Sequence, residues 1–231
     1  MIIKGLQKLT LLDYPEKCAC TVFTFGCNLR CPFCHNASLV EKRAGDDYRI
    51  SVEEFFKFLD GRKNLLDGVT VTGGEPLLQP DIEDFIYNIK ERGFLVKLDT
   101  NGTNPEKLSS LIDKKLVDYV AMDIKNCLER YPLTVGVKDF SVEPIKKSVK
   151  ILLEGKVDYE FRTTVCNELF DEDCFYKIAE EIKGAKKYFL QAYADSGDVL
   201  CGTFTQPSKA LLNSYANVVS KTVEKVQIRG V

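Results

Sequence analysis

"ACTVFTFGCNLRCPFCHN", residues 19–36, joins two different kinds of chain. Its first seven residues are β-branched, aromatic and small, the composition of a strand covered on both faces. Its second part is a loop with Cys27, Cys31 and Cys34 in the spacing C-x3-C-x2-C. A strand that delivers three thiols to its carboxyl end sets the question for the rest of the chain. Four thiolates would close a structural metal site, whereas a catalytic site keeps a position open.

The same design recurs. Further strands are expected at "GVTVTG" (68–73), "FLVKLD" (94–99), "VDYVAMDI" (117–124), "YEFRTTV" (159–165) and "KYFLQAY" (187–193). Between them lie amphipathic helical patterns. "SVEEFFKFLDGR" opens on Ser51 with Glu54 three residues later, a capping box. "PDIEDFIYNIKERG" has Pro80 near its first turn and stops at Gly93. "NPEKLSSLIDKK", "VEPIKKSVKILLEG" and "DEDCFYKIAEEIKG" follow the same logic. A last helix, about 207–222, precedes a strand-like tail, "KVQIRG". Strand and helix alternate about six times, which predicts parallel βα units in a barrel or a doubly wound sheet. Both architectures gather their chemistry at the carboxyl ends of the strands.

Composition narrows the class. The 231 residues, 45% hydrophobic, suffice for one sizeable α/β core. A formal net charge of -2 gives no basic footprint for nucleic acid. No apolar run approaches the roughly 20 residues of a membrane helix. "MIIKGLQKLTLLDYP" lacks the pattern of a signal peptide, so a cytoplasmic location is expected. Nine cysteines, an odd number, fit reduced thiols better than a disulfide framework. Six of them, Cys18, Cys20, Cys127, Cys166, Cys174 and Cys201, are scattered and read as buried filler. The expected organisation is one domain over 1–231: an N-terminal extension (1–18), a βα core (19–193) and a C-terminal loop, helix and tail (194–231). "GVKDF" (136–140) and "ADSGDVLCG" (194–202) read as loops within it.

On this frame the polar residues converge. The second strand runs into "TGGEP" (72–76), whose glycines allow close backbone approach and whose Glu75 supplies a carboxylate. The third ends at Asp99 in "DTNG", the fourth in "MDIK" with Asp123 and Lys125. The fifth carries Arg162, and the sixth Gln191 and Tyr193. Two carboxylates and a lysine suit a zwitterionic ligand with a cation beside it. Three thiolates can wrap a [4Fe–4S] cluster, which normally has four, and leave one iron without a protein ligand. His35, the only histidine, is the alternative fourth donor of a Cys3His zinc site, although its adjacency to Cys34 is unlike zinc-finger spacing.

Together these residues resemble the radical S-adenosylmethionine (SAM) superfamily. Its signature is C-x3-C-x-Φ-C with Φ aromatic, here Phe33. "GCNLRCPFCHN", "TGGEP", "DTNG" and "MDIK" occur in the expected order. Within the superfamily the chain is most similar to glycyl-radical-enzyme activating enzymes. "GLQKLTLLDYP" and "FTFGCNLRCPFCHNASLV" carry a likeness to the long form of anaerobic ribonucleoside-triphosphate reductase activating proteins.

The resemblance implies a partial, open (β/α)6 barrel. It implies one [4Fe–4S] cluster held by Cys27, Cys31 and Cys34, with SAM on the fourth iron. It places Phe33 near the adenine, Gly73, Gly74 and Glu75 at the SAM amino group, and Lys125 at its carboxylate. Asp99 and Asp123 match carboxylates that hold a monovalent cation in a related activase. Asp13 and Arg162 match residues of its substrate-peptide channel, and His35 is expected to face the substrate. The implied reaction is reductive cleavage of SAM to a 5′-deoxyadenosyl radical, which takes a hydrogen atom from a glycine of a partner glycyl radical enzyme. Flavodoxin or ferredoxin is the implied electron donor.

The chain departs from its relatives in two ways. Its remaining cysteines lack the spacing of an inserted ferredoxin module. It also has "QAYAD" where the related activase has a histidine, so Gln191 or Tyr193 is expected to replace it. Two other readings stand beside the activase: a radical SAM enzyme acting on a small molecule or another peptide, and a non-catalytic iron–sulfur or zinc protein.

Overall fold

The computed structural model describes residues 1–41, 47–195, 197–201 and 203–230. Ser196 and Gly202 of the expected 194–202 loop lie outside these residues. The chain forms one eight-stranded sheet whose spatial order follows the sequence, β1 to β8. The strands are β1 (Ile3–Thr10), β2 (Ala19–Thr24), β3 (Gly68–Gly73), β4 (Leu95–Thr100), β5 (Tyr119–Asp123), β6 (Asp158–Val165), β7 (Lys187–Ala192) and β8 (Lys225–Arg229). From β2 to β8 every pair is parallel, and β1 is antiparallel to β2.

The helices are α1 (Ala37–Val40), α2 (Val52–Asp60), α3 (Ile82–Glu91), α4 (Pro105–Asp113), α5 (Tyr131–Val135), α6 (Glu143–Leu153), α7 (Glu172–Glu181) and α8 (Lys209–Val219). The strands β2 to β7 are each followed by one of the long helices, which makes six βα units. A doubly wound sheet reverses its strand order at a switch point, and this sheet does not. It is a barrel-type sheet with β1 and β8 as its two ends, the open (β/α)6 barrel.

Local chemistry places the helices. Ser51 caps α2 as the pattern predicts: its hydroxyl accepts from the Glu54 N–H at 3.1 Å and Glu54 returns to the Ser51 N–H at 2.9 Å. The side chains of Asn104, Asp171 and Ser208 cap α4, α7 and α8 by accepting from the N–H groups of Lys107, Cys174 and Leu211. Among the described residues no helix is long and apolar enough to cross a membrane.

Two strands lie outside the expected core. β1 falls within the segment expected to be an N-terminal extension. An edge strand has one open side and carries polar residues there, so "IKGLQKLT" shows no apolar run. β8, the expected tail, pairs with β7 and sends Arg229 across to the buried Glu160 of β6 at 3.0 Å.

Alternation gives the sheet two unlike faces. Val69, Val71, Val96, Leu98, Val120 and Met122 belong to the apolar core. The intervening positions, Thr72, Lys97, Asp99, Asp123, Glu160 and Arg162, form a polar face joined by hydrogen bonds and ion pairs.

Candidate active site

The cysteine loop leaves β2 and folds over the carboxyl end of the sheet. Its backbone is anchored on several sides. The Gly26 N–H bonds the Leu39 carbonyl, the Arg30 N–H bonds the Val135 carbonyl, and the Cys201 N–H bonds the Pro32 carbonyl. Asp198 and Phe204 add two clamps. The Asp198 carboxylate accepts from the Ser38 N–H and hydroxyl, and Phe204 meets Phe33 edge-to-face at 6.1 Å.

Under the loop lies a cavity of about 1010 Å3, its open mouth included, lined by Cys27, Cys31 and Cys34. The other walls come from the ends of β3, β4, β5, β6 and β7. Burial pushes the Cys31 thiol up to about 12, although the Lys125 ammonium pulls the other way, and burial likewise raises Cys27. Thiols held protonated in this way release protons when they ligate a metal.

The glycine turn after β3 has a specific geometric reason. Gly73 has φ +120, and a Cβ there would lie 2.3 Å from the Thr24 nitrogen. A Cβ on Gly74 would lie 2.1 Å from the Gly26 carbonyl oxygen. The turn is stitched to the cysteine strand by Gly74 N–H to Thr24 O and Glu75 N–H to Gly26 O. The close approach is therefore first to another backbone, the one leading into Cys27, while both glycines still line the cavity.

A row of charges crosses the cavity floor. Lys125 donates to Asp123 at 2.9 Å, Arg162 reaches both Asp123 and Asp99 at 3.0 Å, and Lys97 bonds the other oxygen of Asp99. Burial alone would raise both aspartates, but Arg162 and the lysines outweigh it and hold them below the usual carboxylate range. Burial pulls the Lys125 pKa down, but the Asp123 carboxylate outweighs it and holds the ammonium above its usual value.

The predicted residues do not all meet. Phe33, Gly73, Gly74, His35, Asp99, Asp123, Lys125, Arg162 and Gln191 line the cavity with the three cysteines. Glu75 does not. Its carboxylate, 1% exposed, accepts from the Leu77 N–H, the Thr100 hydroxyl and the Asn101 N–H, so its oxygens serve the protein. Burial raises it to about 7 against those three donors. Asp13 lies outside the cavity, at the foot of β2, where it accepts from the Thr21 hydroxyl at 2.6 Å. Of the two candidates at the end of β7, Gln191 faces the cavity and Tyr193 packs against Phe204. Burial lowers the His35 pKa, with Lys125 adding to the effect. Residues not anticipated include Thr72, Thr100 and Asn101 in the wall, and Lys97 beneath it. Asn101 lies within "DTNG", and a lysine inside the apolar run "FLVKLD" was the available signal for Lys97.

The radical SAM superfamily profile matches residues 21–181. The chain belongs to the radical SAM superfamily. A Methanocaldococcus jannaschii protein described as a "putative glycyl-radical enzyme activating enzyme" is 34% identical over 99% of this chain and 95% of its own length. The pyruvate formate-lyase-activating enzyme of Clostridium pasteurianum is 34% identical over 54% of this chain and 52% of its own. Among solved structures, a radical SAM methyltransferase from Sphaerobacter thermophilus shares the fold with a TM-score of 0.71 at 16% identity, covering 96% of this chain and 69% of that one.

The donor set fits the superfamily's [4Fe–4S] cluster. Among the described residues no three His, Cys, Asp or Glu side chains converge on a single-ion position. A cluster takes each sulfur at a separate iron, and three thiols opening into one cavity match that demand. A monovalent cation fits poorly. Asp99 and Asp123 face three cationic side chains, Lys97, Lys125 and Arg162, which already occupy their oxygens.

Proposed function

We propose that this radical SAM protein is a glycyl-radical-enzyme activating enzyme. The observation that carries the reading is the meeting, in one cavity, of the three cysteines, the Gly73–Gly74 turn and the Lys125–Asp123 pair, in a chain similar to such an enzyme over nearly its full length. The [4Fe–4S] cluster would supply one electron to break the S–C5′ bond of SAM, giving methionine and the 5′-deoxyadenosyl radical that abstracts hydrogen from a glycine Cα.

The chain's own residues do the remaining work. Cys27, Cys31 and Cys34 bind the cluster. Lys125, kept protonated by Asp123, pairs with the SAM carboxylate, and the Gly73–Gly74 backbone borders its amino group. Phe33 and Gln191 form the apolar and polar walls for the nucleoside end. The loop clamped by Asp198 and Phe204 limits water above the cluster. Arg162 on the cavity floor and His35 in its lining face the space that the incoming glycine segment would enter. The partner is a glycyl radical enzyme, of which an anaerobic ribonucleotide reductase is the specific expectation, and flavodoxin or ferredoxin provides the electron.

Anaerobic reconstitution tests the reading. With dithionite and SAM, 5′-deoxyadenosine is expected. With the partner present, a glycyl radical doublet is expected in its EPR spectrum. A fully loaded cluster without 5′-deoxyadenosine would overturn the enzyme reading. Product without a radical on any glycyl radical enzyme would favour a small-molecule or other peptide substrate.

A further inference from the structure

Asn101, at the end of β4, reaches back to the cysteine loop. Its side-chain Nδ2 lies 3.7 Å from Cys27 Sγ and 3.0 Å from Asn28 Oδ1. Sulfur is larger than oxygen, so 3.7 Å is a contact distance for an N–H donor. Cys27 Sγ accepts a second N–H, from Leu29 at 3.4 Å, but that donor belongs to the loop itself.

The orientation of the Asn101 amide follows from its surroundings. Its Oδ1 accepts from the Thr103 N–H at 3.0 Å and from the Thr103 hydroxyl at 2.7 Å. A backbone N–H can only donate, so the amide oxygen must face Thr103 and the NH2 must face the sulfur. Asn28 closes the ring by donating to Thr103 Oγ1 at 3.0 Å. The Asn101 backbone is pinned as well, its N–H held by Glu75 Oε2 at 2.7 Å. The residue is 5% exposed, so little water competes for the contact.

We infer that Asn101 is a positioning residue that orients Cys27 and raises the reduction potential of the bound cluster through its N–H to Cys27 Sγ. The inference rests on the proposed [4Fe–4S] site. One-electron reduction adds negative charge to the cluster and its sulfurs. A fixed N–H dipole aimed at one of those sulfurs stabilises the reduced state over the oxidised one. The contact is part-buried, which enlarges the effect over that of an exposed dipole. The contact also links the two motifs of the cavity, because the residue that touches Cys27 is held by the carboxylate of the glycine turn.

The test is an EPR-monitored redox titration of reconstituted parent, Asn101→Ala and Asn101→Asp enzymes, after iron and sulfide are counted per chain. At a fixed poise the ratio of reduced to oxidised cluster is expected to fall about tenfold in Asn101→Ala, about 59 mV for a one-electron couple. Asn101→Asp should fall further, because it places a carboxylate by the sulfur. If either variant fails to load, Thr103→Val serves instead: it keeps Asn101, removes one of the two bonds that orient its amide, and should lower the potential in the same direction. Loaded variants with the parent's potential overturn the inference and leave the cluster reading intact. A parent protein that takes up no four-iron cluster overturns the reading of the site, and the inference with it.

Discussion

Arg162 Nη1 lies 3.0 Å from Asp99 Oδ2, a contact that spans from β6 past β5 to β4. The same guanidinium uses Nε on Asp123. One planar fork therefore satisfies two carboxylates that would otherwise repel. Arg162→Ala should destabilise the protein by about 3 kcal/mol, the lower end for breaking a buried pair, since Lys97 and Lys125 remain. Arg162→Lys should restore little, because one ammonium cannot span both carboxylates. Urea unfolding of the two variants measures this. The parent's 5′-deoxyadenosine formation should not change when sodium replaces potassium at constant ionic strength, whereas Arg162→Ala should acquire such a dependence.

Lys125→Ala should load the cluster normally and bind SAM more weakly. A charge-assisted contact of this kind contributes about 1.5–3 kcal/mol, so the loss in affinity should be about tenfold to a hundredfold. Equilibrium dialysis on reconstituted enzyme reads it directly. Parent-like SAM affinity would displace Lys125 from the carboxylate site.

Gly74→Ala sets a Cβ against a carbonyl oxygen that has no freedom to move. The Gly26 oxygen would be 2.1 Å away, and Gly26 is itself bonded to Leu39 and Glu75. A cost of about 3 kcal/mol is expected, at the high end for overpacking. The cysteine loop would be pushed off its anchor, so cluster content after reconstitution should fall along with the unfolding midpoint.

The charge row also predicts acid lability. Asp99 and Asp123 have pKa values below the ordinary 3.8 in the folded protein, held there by Arg162 and the lysines against the burial that would raise them. Groups depressed on folding contribute stability that is complete above their unfolded pKa and disappears as pH falls through the folded one. Stability should therefore drop as pH is lowered below about 4, and Asp99→Asn should flatten that drop. Urea unfolding of both proteins between pH 5 and pH 3 tests this.

Much of the fold was legible because its signals are local. Ser51 and Glu54 are three residues apart and cap α2 without help from elsewhere. The run at 68–73 is β3 to the residue. β1 was not legible, because an edge strand is defined by its missing neighbour and "IKGLQKLT" carries no such mark. Glu75 shows the same division in the site. Its place after two glycines is local, but the bonds from Thr100 and Asn101 that turn it inward come from β4.

The amino-acid sequence by itself determined the six βα units, the three thiols and the order in which polar residues reach the strand ends. Those depend on periodicity, capping and spacing within a few residues. Only the tertiary structure decided which groups share the cavity. It put Arg162 on two aspartates from two other strands, turned Glu75 away, chose Gln191 over Tyr193, left Asp13 at the foot of the barrel and brought Asn101 to Cys27. Each of these depends on parallel register and sheet curvature, which bring together residues tens of positions apart and leave no trace in local spacing.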